Sequence, residues 1–372
     1  MKPDKTIMVG LSGGVDSAVA ALLLQQQGWR VEGLFMKNWE EDDQPGHCSA
    51  AEDLQDARQV AERLAIPLHT ANFSDAYWER VFTHFLAEYR AGRTPNPDLL
   101  CNREIKFRAF LDHALDLGAE AIATGHYARR CASAEGWQLC RAVDEGKDQT
   151  YFLYLLNQQQ LAHAHFPLAD YPKQAVRELA LQAGFANARK KESTGICFIG
   201  ERPFRQFLQR YLPAQPGDIV TPEGAVIGSH CGLMYYTLGQ RKGLGIGGQA
   251  GYHEGSWYVV EKDLATNRLL VAQQHDHPLL LKAGLEAEDL HWITAPPPPR
   301  PGHLLARLRH RQPLQPCTLL PLADGRCRVW FEHPQRAVTP GQAIVFYHHH
   351  HCLGGGTIVR GLNREEDASC MS

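Results

Sequence analysis

The chain has 372 residues, 44% hydrophobic and 21% charged, a composition typical of a soluble globular protein of two or three domains. Its formal net charge is −3, so a nucleic-acid partner would need a locally basic surface. The ten cysteines form no Cys-x-x-Cys pair, which argues against a disulfide framework and a zinc knuckle. No apolar run near the N-terminus reaches the roughly 20 residues of a membrane span, and no signal peptide is recognisable. We therefore expect a cytoplasmic protein with no membrane partner.

The segment GLSGGVDSAVAALLL predicts a glycine-rich loop between the first strand and a helix. Gly13 and Gly14 permit a tight turn whose N–H groups, together with the helix N-terminus, can bind an anion. Ser12 and Ser17 can donate hydroxyl hydrogen bonds, and Asp16 can hold Mg²⁺ that bridges phosphates. The loop lacks the lysine of the ATPase phosphate loop, so it is better suited to a pyrophosphate product. A glycine turn capped by serines is the alternative interpretation.

Strands and helices alternate along the next part of the chain. The pattern predicts strands at 30–39, 66–73 and 121–128, and helices at 52–65 and 77–92. Such alternation implies a parallel sheet with helices on both faces, whose ligands bind at the carboxyl ends of the strands. The loop at 10–17, Met36 and Gly125 all fall at such ends, which predicts a nucleotide site there.

Cys101 lies in the segment GRTPNPDLLCNREIKF, where two prolines predict a stiff loop and Asn102 or its neighbours begin a helix. A helix N-terminus and the nearby Arg103 and Lys106 would both lower the pKa of this thiol. Asp98, three residues upstream, could carry a proton. Burial as a small apolar side chain is the alternative, because that is the usual place of a lone cysteine.

Cys197 lies in ARKKESTGICFIGERPF, after a cationic run that favours a thiolate, with the same structural alternative. Cys231, Cys317 and Cys327 lack such neighbours and are predicted to be structural. An adenylating loop combined with two activated thiols suggests sulfur transfer, in which AMP leaves and sulfur replaces it. One cysteine would carry the sulfur as a persulfide, and the other would attack that persulfide and leave a disulfide.

These motifs make the sequence similar to the bacterial tRNA-specific 2-thiouridylases of the N-type ATP pyrophosphatase superfamily. The matching segments, in chain order, are SGGVDS, GLFMKNWEEDD, GRTPNPDLLCNREIKF, TGHY, KDQTYFLY, STGICFIGERPF, GLMYYTLGQRKGLGIGG and TPGQAIVFY. They cover nearly the whole chain. The resemblance implies an α/β architecture with a Rossmann-like, parallel-sheet N-type ATP pyrophosphatase domain over 1–200 that carries both catalytic cysteines. A small β-rich central α+β domain over 201–285 and a C-terminal β-barrel over 286–372 would both bind tRNA.

The resemblance also implies the activity, which is ATP-dependent 2-thiolation of the wobble uridine of tRNA. Cys197 would bear the persulfide and Cys101 would be the partner catalytic thiol. Asn96, Pro97 and Asp98 would meet the target base, with Asp98 as the acid or base. ATP would be bound by Gly10, Leu11, Ser12, Gly13, Gly14, Val15, Asp16, Ser17, Met36 and Gly125. Contacts to tRNA would come from His126, Lys147, Asp148, Gln149, Arg309, His310 and Gln342.

The implied cofactors are ATP, Mg²⁺ near Asp16 without a permanent metal site, and a persulfide sulfur donor. The implied partners are tRNA, with the Lys, Glu and Gln acceptors expected, and a sulfur-carrier or cysteine desulfurase protein that delivers the persulfide. Three other functions stay open on the residues alone. They are an ATP-dependent ligase or amidotransferase-like synthetase, a thiol-dependent modifier of a different tRNA base, and a protein that binds RNA or a sulfur carrier without turnover.

The second half of the chain is rich in strands and contains two basic segments. Arg241 and Lys242 lie in a glycine-rich loop that suits a phosphate backbone, although a plain hairpin is equally compatible. Arg307, Arg309 and Arg311 fall at alternate positions, which predicts one cationic strand face for RNA phosphates. An ordinary solvated face is the alternative. Alternating strands with DG and PG turns predict a small closed barrel here.

Three further segments are predicted to have no chemical role. APPPPRPG at 295–302 is expected to be a stiff linker, and the polar tail after Leu362 is expected to be disordered. His348–His351 could suggest a metal site. Because successive strand residues alternate faces, at most two of these histidines would point together, so we expect a strand end without function.

Overall fold

The structure is a computed structural model that describes residues 5–40, 49–191, 204–247, 255–294 and 304–364. Its strands form a five-stranded parallel sheet, a four-stranded mixed sheet and an eight-stranded antiparallel sheet. Within the described residues, every helix is too short or too polar to cross a membrane.

The parallel sheet forms the centre of the N-terminal part. The strands of this part are β1 (Thr6–Gly10), β2 (Arg30–Lys37), β3 (Leu68–Asn72), β4 (Ala121–Ala123), β5 (Ala128–Ser133), β6 (Gly136–Arg141) and β7 (Ala164–His165). The sheet order is β3-β2-β1-β4-β7 with all neighbours parallel, and β5 and β6 form a separate antiparallel hairpin. Ile7, Met8 and Val9 of the central strand are fully buried, because apolar side chains cover both faces of the sheet. The predicted Rossmann-like sheet is confirmed.

Helices connect these strands and cover both faces of the sheet. They are α1 (Val15–Gln26), α2 (Ser49–Leu64), α3 (Ser74–Tyr77), α4 (Thr83–Arg90), α5 (Pro97–Leu100), α6 (Phe110–Asp116), α7 (Thr150–Leu153), α8 (Gln158–His163) and α9 (Lys173–Gln182). π-helical turns over Trp78–Phe82 and Cys101–Ala109 join α3 to α4 and α5 to α6, so each pair forms one long helix. A 3₁₀ turn covers Ala186–Arg189. The predicted helices and strands agree with these bounds to within a few residues, except that the strand expected at 121–128 is divided between β4 and β5.

The central part contains α10 (Phe204–Gln209), β8 (Gly217–Val220), β9 (Val226–His230), β10 (Trp257–Asp263) and β11 (Arg268–Gln273). A 3₁₀ turn covers Leu233–Tyr235. The sheet order is β10-β11-β8-β9, in which β11 and β8 are parallel and the other neighbours antiparallel. Phe207 and Leu208 of α10 share one apolar cluster with Tyr77, Phe82 and Cys101 of the N-terminal part. The central sheet is therefore packed directly onto the helix that carries Cys101.

The C-terminal part is a closed antiparallel barrel of six strands, as predicted. The strands are β12 (Leu281–Trp292), β13 (Leu304–Arg307), β14 (Gln315–Pro321), β15 (Cys327–Arg336), β16 (Ala343–His348) and β17 (His351–Leu362), and a 3₁₀ turn at Pro278–Leu280 precedes them. Their order is β12-β15-β14-β13-β16-β17, and pairing of β17 with β12 closes the barrel. The predicted domain boundary between 285 and 286 falls inside β12.

The barrel and the N-terminal part share one continuous sheet. β17 pairs with β6 of the hairpin, with His351 opposite Cys140 and Cys352 opposite Leu139. The backbone N–H of Arg141 also donates to the carbonyl of His350 at 2.8 Å. Main-chain hydrogen bonds thus fix the barrel against the N-terminal part.

The four consecutive histidines form the turn between β16 and β17. His348 ends β16, His349 has a φ of +51°, and His351 begins β17 with its Nδ1 atom 3.5 Å from Sγ of Cys140. Among the described residues, no group of three or more ligating side chains is placed to hold a metal ion. The predicted linker at 295–302 lies outside the described residues, as does the tail beyond residue 364.

Candidate active site

The glycine-rich loop at the end of β1 has the tight geometry that its sequence predicts. Gly13 has a φ of +76°, and a Cβ atom there would lie 2.4 Å from the carbonyl oxygen of Asp53, so only glycine fits. The hydroxyl of Ser17 donates to the Gly14 carbonyl at 3.0 Å and accepts the Ser12 N–H at 3.2 Å. These bonds hold the loop over the N-terminus of α1, where backbone N–H groups and the helix dipole favour an anion.

The carboxylate of Asp16 is held by two side chains that are distant in sequence. Its Oδ1 atom accepts the Tyr127 hydroxyl at 2.9 Å, and Nζ of Lys173 donates to Oδ1 at 2.7 Å and to Oδ2 at 2.8 Å. The sequence analysis found no positive charge in this loop and missed Lys173. No local signal could have identified it, because only the fold brings the start of α9 to the loop.

Backbone is packed closely against the loop on the sides where a bound nucleotide would lie. A Cβ atom on Gly125 would lie 2.7 Å from the backbone nitrogen of Ser17 and 2.8 Å from the carbonyl carbon of Asp16. A Cβ atom on Gly10 would lie 3.2 Å from the terminal methyl of Met36. The glycine-rich loop, Met36 near the end of β2 and Gly125 after β4 therefore meet at one edge of the sheet.

One buried polar side chain beside the loop has an unused acceptor. Asn187 is 5% exposed, and its Nδ2 atom donates to the Gly13 carbonyl at 2.8 Å. Its Oδ1 atom has no hydrogen-bond partner among the described residues. A buried acceptor without a partner fits a site that a bound ligand completes. Together with the serine hydroxyls and the carboxylate of Asp16, this arrangement fits ATP with Mg²⁺.

Replacing Gly125 by alanine should damage the nucleotide site, because the added methyl group would overlap the backbone at the start of α1. We expect a loss of about 1–3 kcal/mol in unfolding free energy together with weaker ATP binding. Urea denaturation and calorimetric titration with ATP measure the two effects. Gly247→Ala is the matched control, since a Cβ atom at Gly247 meets no atom of the described residues within 4 Å. Equal behaviour of the two variants would contradict the close packing of Gly125 on the loop.

The helix that carries Cys101 begins earlier than predicted. Asn96 caps it by accepting the N–H of Asp98 on Oδ1 at 3.1 Å, and Pro97 occupies the first helical position. The predicted start at Asn102 is therefore wrong, because asparagine followed by proline is itself a helix-start signal. Cys101 lies one turn inside the helix and is only 1% exposed, in contact with the apolar cluster around α10.

Two titratable side chains near this helix have shifted pKa values. Burial raises the pKa of Asp98, and the charges of Lys106 and His310 partly oppose that shift. Burial, reinforced by Lys106, holds the pKa of His126 well below its usual value. Asp98 therefore keeps a proton to a higher pH than an exposed aspartate, and His126 is a neutral imidazole at pH 7, with Nδ1 bonded to the Thr124 hydroxyl at 2.8 Å.

Asp148 and Arg307 form a buried ion pair between the N-terminal part and the barrel. Asp148 is 1% exposed, and its Oδ2 atom is 3.2 Å from the guanidinium of Arg307, which also lies over the ring of Tyr347. The predicted cationic strand face is therefore wrong for Arg307. β13 ends at this residue, and Arg309 and Arg311 follow as exposed side chains beyond the strand.

The other residues expected to contact tRNA are arranged around this ion pair. Nε2 of His310 lies 2.8 Å from the backbone carbonyl of Asp148, and its ring packs on Phe152 with centroids 4.5 Å apart. Gln149 exchanges two hydrogen bonds with the backbone of Tyr127, at 2.8 and 3.0 Å. Lys147 is partly exposed. Asp148 is thus enclosed in this conformation and positions its neighbours.

A further contact connects the barrel to the start of the Cys101 helix. Nε2 of Gln342 donates to the Thr94 carbonyl at 2.7 Å, and the Thr94 N–H donates to the carbonyl of Pro340 at 2.9 Å. Thr94 lies two residues before the helix cap, Asn96. The barrel therefore helps to set the position of the segment that contains Asp98.

Two predicted elements are not joined to this site. Cys197 lies within 192–203, outside the described residues, so the structure does not address its pairing with Cys101. Arg241 and Lys242 are exposed in the glycine-rich loop of the central part. No disulfide joins any two of the cysteines that the structure describes, which are Cys101, Cys131, Cys140, Cys231, Cys317, Cys327 and Cys352.

Three family models match consecutive parts of the chain. The tRNA methyl transferase HUP domain matches residues 5–201, which is more than half of the chain. The tRNA methyl transferase PRC-barrel domain matches 205–273, and the aminomethyltransferase beta-barrel domain matches 282–358.

Curated relatives match the chain over almost its full length. The tRNA-specific 2-thiouridylase MnmA of Methylococcus capsulatus is 59% identical over 371 residues, which cover 99% of each chain. The enzyme of the same name from Sodalis glossinidius is 58% identical over 355 residues, covering 95% of this chain and 96% of the relative. That from Haemophilus ducreyi is 58% identical over 356 residues, covering 95% and 93%.

Likeness to solved structures is weaker. A 4-thiouridine synthetase solved as an RNA complex with bound ATP aligns with a TM-score of 0.33 and 16% identity, covering 56% of this chain and 50% of that one. Structural similarity at this level is not evidence for a shared function. The sequence identities over the full length are evidence for family membership, and they agree with the loop, the capped cysteine helix and the barrel described above. This chain therefore belongs to the tRNA-specific 2-thiouridylase family of tRNA-uridine 2-sulfurtransferases.

Proposed function

We propose that this chain replaces the C2 oxygen of the wobble uridine of tRNA with sulfur, at the expense of ATP. Family membership supports thiolation of a tRNA uridine as the activity. The finer steps are adenylation of the oxygen, sulfur delivery from a cysteine persulfide, and release of AMP and pyrophosphate. These steps are assigned here to particular side chains.

Packing at Gly125 and the charge of Lys106 relate the glycine-rich loop to Asp98, and this relation supports the proposal. Gly125 packs on the backbone of Ser17, and the next residue, His126, lies within the electrostatic influence of Lys106. Lys106 in turn acts on Asp98. A base placed beside Asp98 would thus lie on the side of the sheet at which ATP would be bound. Adenylation needs such proximity, because the uridine oxygen must reach the α-phosphate.

In the adenylation step the chain binds ATP and the uridine base and orients them toward each other. ATP with Mg²⁺ supplies the electrophilic phosphorus and the pyrophosphate leaving group. The loop N–H groups and the hydroxyls of Ser12 and Ser17 hold phosphate oxygens, and Asp16 is the carboxylate available to the metal ion. Asp98, with its raised pKa, can donate or accept a proton at the base while the C2 oxygen attacks the α-phosphorus of ATP and pyrophosphate leaves, which gives a C2–O–AMP linkage.

The sulfur step uses both cysteines, with the role of Cys197 resting on its sequence motif. The terminal sulfur of a persulfide on Cys197 attacks C2 of the adenylated base, and the C2–oxygen bond breaks with AMP as the leaving group. The Cys101 thiol then attacks the inner sulfur and forms a disulfide. The transferred sulfur gains the two electrons that the cysteines lose, so the step balances, and an external thiol must reduce the disulfide before another turnover.

The proposed partners follow from the same resemblance. We propose the tRNAs with Lys, Glu and Gln acceptors as substrates, and a sulfur-carrier or cysteine desulfurase protein as the source of the persulfide. Both are expected in the cytoplasm, where the chain would work. The exposed Arg309, the partly exposed Lys147 and the loop with Arg241 and Lys242 are cationic groups available to phosphates.

The test is mass spectrometry of nucleosides from tRNA that has been incubated with the protein, ATP, Mg²⁺ and a persulfide donor. We expect 2-thiouridine, with tRNA-dependent release of pyrophosphate. In parallel, Asp16→Ala should give no 2-thiouridine and no pyrophosphate while still binding tRNA, because it removes the metal-binding carboxylate and leaves the barrel intact. Pyrophosphate release by Asp16→Ala at the wild-type rate would contradict the loop assignment.

The same measurement separates the other functions. A methylated base without sulfur would favour the activity that the family models name. A ligase would form AMP and pyrophosphate with an amine acceptor and would be insensitive to loss of Cys101. Binding of tRNA without any modified nucleoside would indicate a protein without turnover.

A further inference from the structure

The phosphate loop contains no cation, yet its carboxylate is already neutralised. Both oxygens of Asp16 accept hydrogen bonds from Nζ of Lys173, at 2.7 and 2.8 Å, and Oδ1 also accepts the Tyr127 hydroxyl. The Lys173 side chain is 13% exposed and that of Asp16 is 31% exposed. The ammonium is therefore mostly withdrawn from water, with its carboxylate partner at the mouth of the site.

A metal ion with ATP would change this balance of charge. If Asp16 turns one or both oxygens to Mg²⁺, the Lys173 ammonium loses acceptors at a place where water replaces them poorly. Phosphate oxygens bound at the loop would offer the ammonium new anionic acceptors. The flexible four-carbon stem of lysine allows the ammonium to move from the carboxylate to a phosphate without a change in the backbone.

The other lysine next to the loop is not suited to this exchange. The ammonium of Lys190 is 2.7 Å from Asp53, whose backbone packs on Gly13, and is also paired with Asp56. Two carboxylates hold the Lys190 ammonium, and neither of them is proposed to bind the metal ion. Lys173, in contrast, is paired with Asp16, the carboxylate that is proposed to bind the metal ion.

We propose that Lys173 is the cation missing from the loop, held by Asp16 in the free protein and transferred to the β- and γ-phosphates when ATP and Mg²⁺ bind. There it would neutralise the charge that develops on pyrophosphate as the bond to the α-phosphorus breaks, which is the electrostatic role of lysine in other phosphoryl-transfer sites. The inference rests on the proposed ATP-dependent function and adds a residue to it.

The experiment compares ATP with AMP, which lacks the two outer phosphates, and with pyrophosphate, which consists of those two phosphates alone. Binding of ATP, AMP and inorganic pyrophosphate is measured by calorimetry with Mg²⁺ and without tRNA, for wild type, Lys173→Met and Lys173→Arg. Lys5→Met is the control, because Lys5 pairs with Glu120 at the opposite end of β1 from the loop. It removes one positive charge without touching the site.

We expect Lys173→Met to weaken ATP and pyrophosphate binding by about tenfold or more, with AMP binding changed by less than about twofold. Lys173→Arg should recover part of the loss, and Lys5→Met should match wild type. Equal losses for ATP and AMP would mean that Lys173 only positions Asp16, and unchanged ATP binding would exclude any role at the phosphates. Either result overturns the inference.

Two outcomes separate this inference from the proposed function. If wild type itself binds neither ATP nor pyrophosphate, the proposed function fails first. If Lys173→Met shows no cooperative thermal transition, Lys173→Gln is compared instead, since its amide can still donate to Asp16 without carrying charge. An ATP affinity of Lys173→Gln equal to that of wild type would then overturn the inference, and a selective loss for ATP over AMP would support it.

Discussion

Replacing Cys101 by serine is expected to abolish formation of 2-thiouridine, by roughly a thousandfold or more, while ATP binding stays at the wild-type level. The thiol is the proposed attacking group in the step that releases sulfur, and a serine hydroxyl cannot replace it in disulfide chemistry. The nucleotide loop lies at the end of β1, away from the apolar cluster that surrounds Cys101. Nucleoside mass spectrometry and ATP titration give the two readouts.

A second buried cysteine provides the matched control for Cys101. Cys327 in the barrel is 0% exposed, against 1% for Cys101, so Cys327→Ser makes the same chemical change in a comparable environment. Each substitution buries a hydroxyl, which costs about 1–3 kcal/mol of stability when the hydroxyl is unsatisfied. We expect both variants to lose stability by this amount and only Cys101→Ser to lose thiolation. Normal thiolation by Cys101→Ser would contradict its catalytic role.

Loading with a persulfide donor distinguishes the roles of the two thiols. Cys101→Ser should still accumulate protein-bound labile sulfur, whereas Cys197→Ser should carry none. Accumulation of persulfide on Cys101 in the Cys197→Ser variant would mean that the two roles are exchanged. Cys101 is almost completely buried and belongs to the apolar cluster around α10, so accessibility of this thiol to an external reagent in each variant is a useful accompanying measurement.

Removing the Arg307 side chain is expected to destabilise the protein by up to about 3–5 kcal/mol, because among the described residues the buried carboxylate of Asp148 then keeps only Arg141, 3.9 Å from its Oδ2 atom, as a charged partner. Arg307→Met keeps most of the side-chain volume, so the loss reports the charge and not a cavity. Urea denaturation measures it. The double variant Asp148→Asn, Arg307→Met should recover part of the loss, since the buried negative charge is removed as well and Arg141 keeps its ion pair with Glu145.

Arg309→Met is the control for Arg307, because this exposed arginine lies two residues away in the same segment. It should change stability by less than about 1 kcal/mol. If Arg309 contacts a phosphate, its loss should lower the log–log salt slope of tRNA binding by about one unit, and folded Arg307→Met protein should retain the wild-type slope. The opposite pattern would restore the predicted cationic face that includes Arg307.

The sequence was sufficient to predict the local geometry of the glycine-rich loop. Residues 10–17 contain strand end, loop and helix start in one frame, and Ser12, Gly13 and Ser17 have the predicted geometry. The alternation of strands and helices predicted the sheet, and hence that Met36 and Gly125 would meet the loop. Local backbone preferences and topology rules decide these features, and both can be recognised in a single sequence.

Features that depend on partners distant in the chain could not be predicted. Lys173 reaches Asp16 only because the fold brings α9 beside the loop. Alternation predicted an exposed strand face at Arg307, but whether that face is solvated depends on Asp148 from another part of the chain. The helix start at Pro97 is a different case, because the Asn96-Pro97 signal was present in the sequence and was interpreted as a loop.

The ladder between β6 and β17 bears on how freely the sequence of this protein can vary during evolution. Main-chain hydrogen bonds join the barrel to the N-terminal part at His351 and Cys352, and such bonds do not depend on which side chains the strands carry. Exposed positions in the turn between β16 and β17, including three of the four consecutive histidines, can therefore be substituted without changing the orientation of the barrel against the N-terminal part. An unusual run of residues can thus arise by drift at a junction whose geometry is fixed by the backbone.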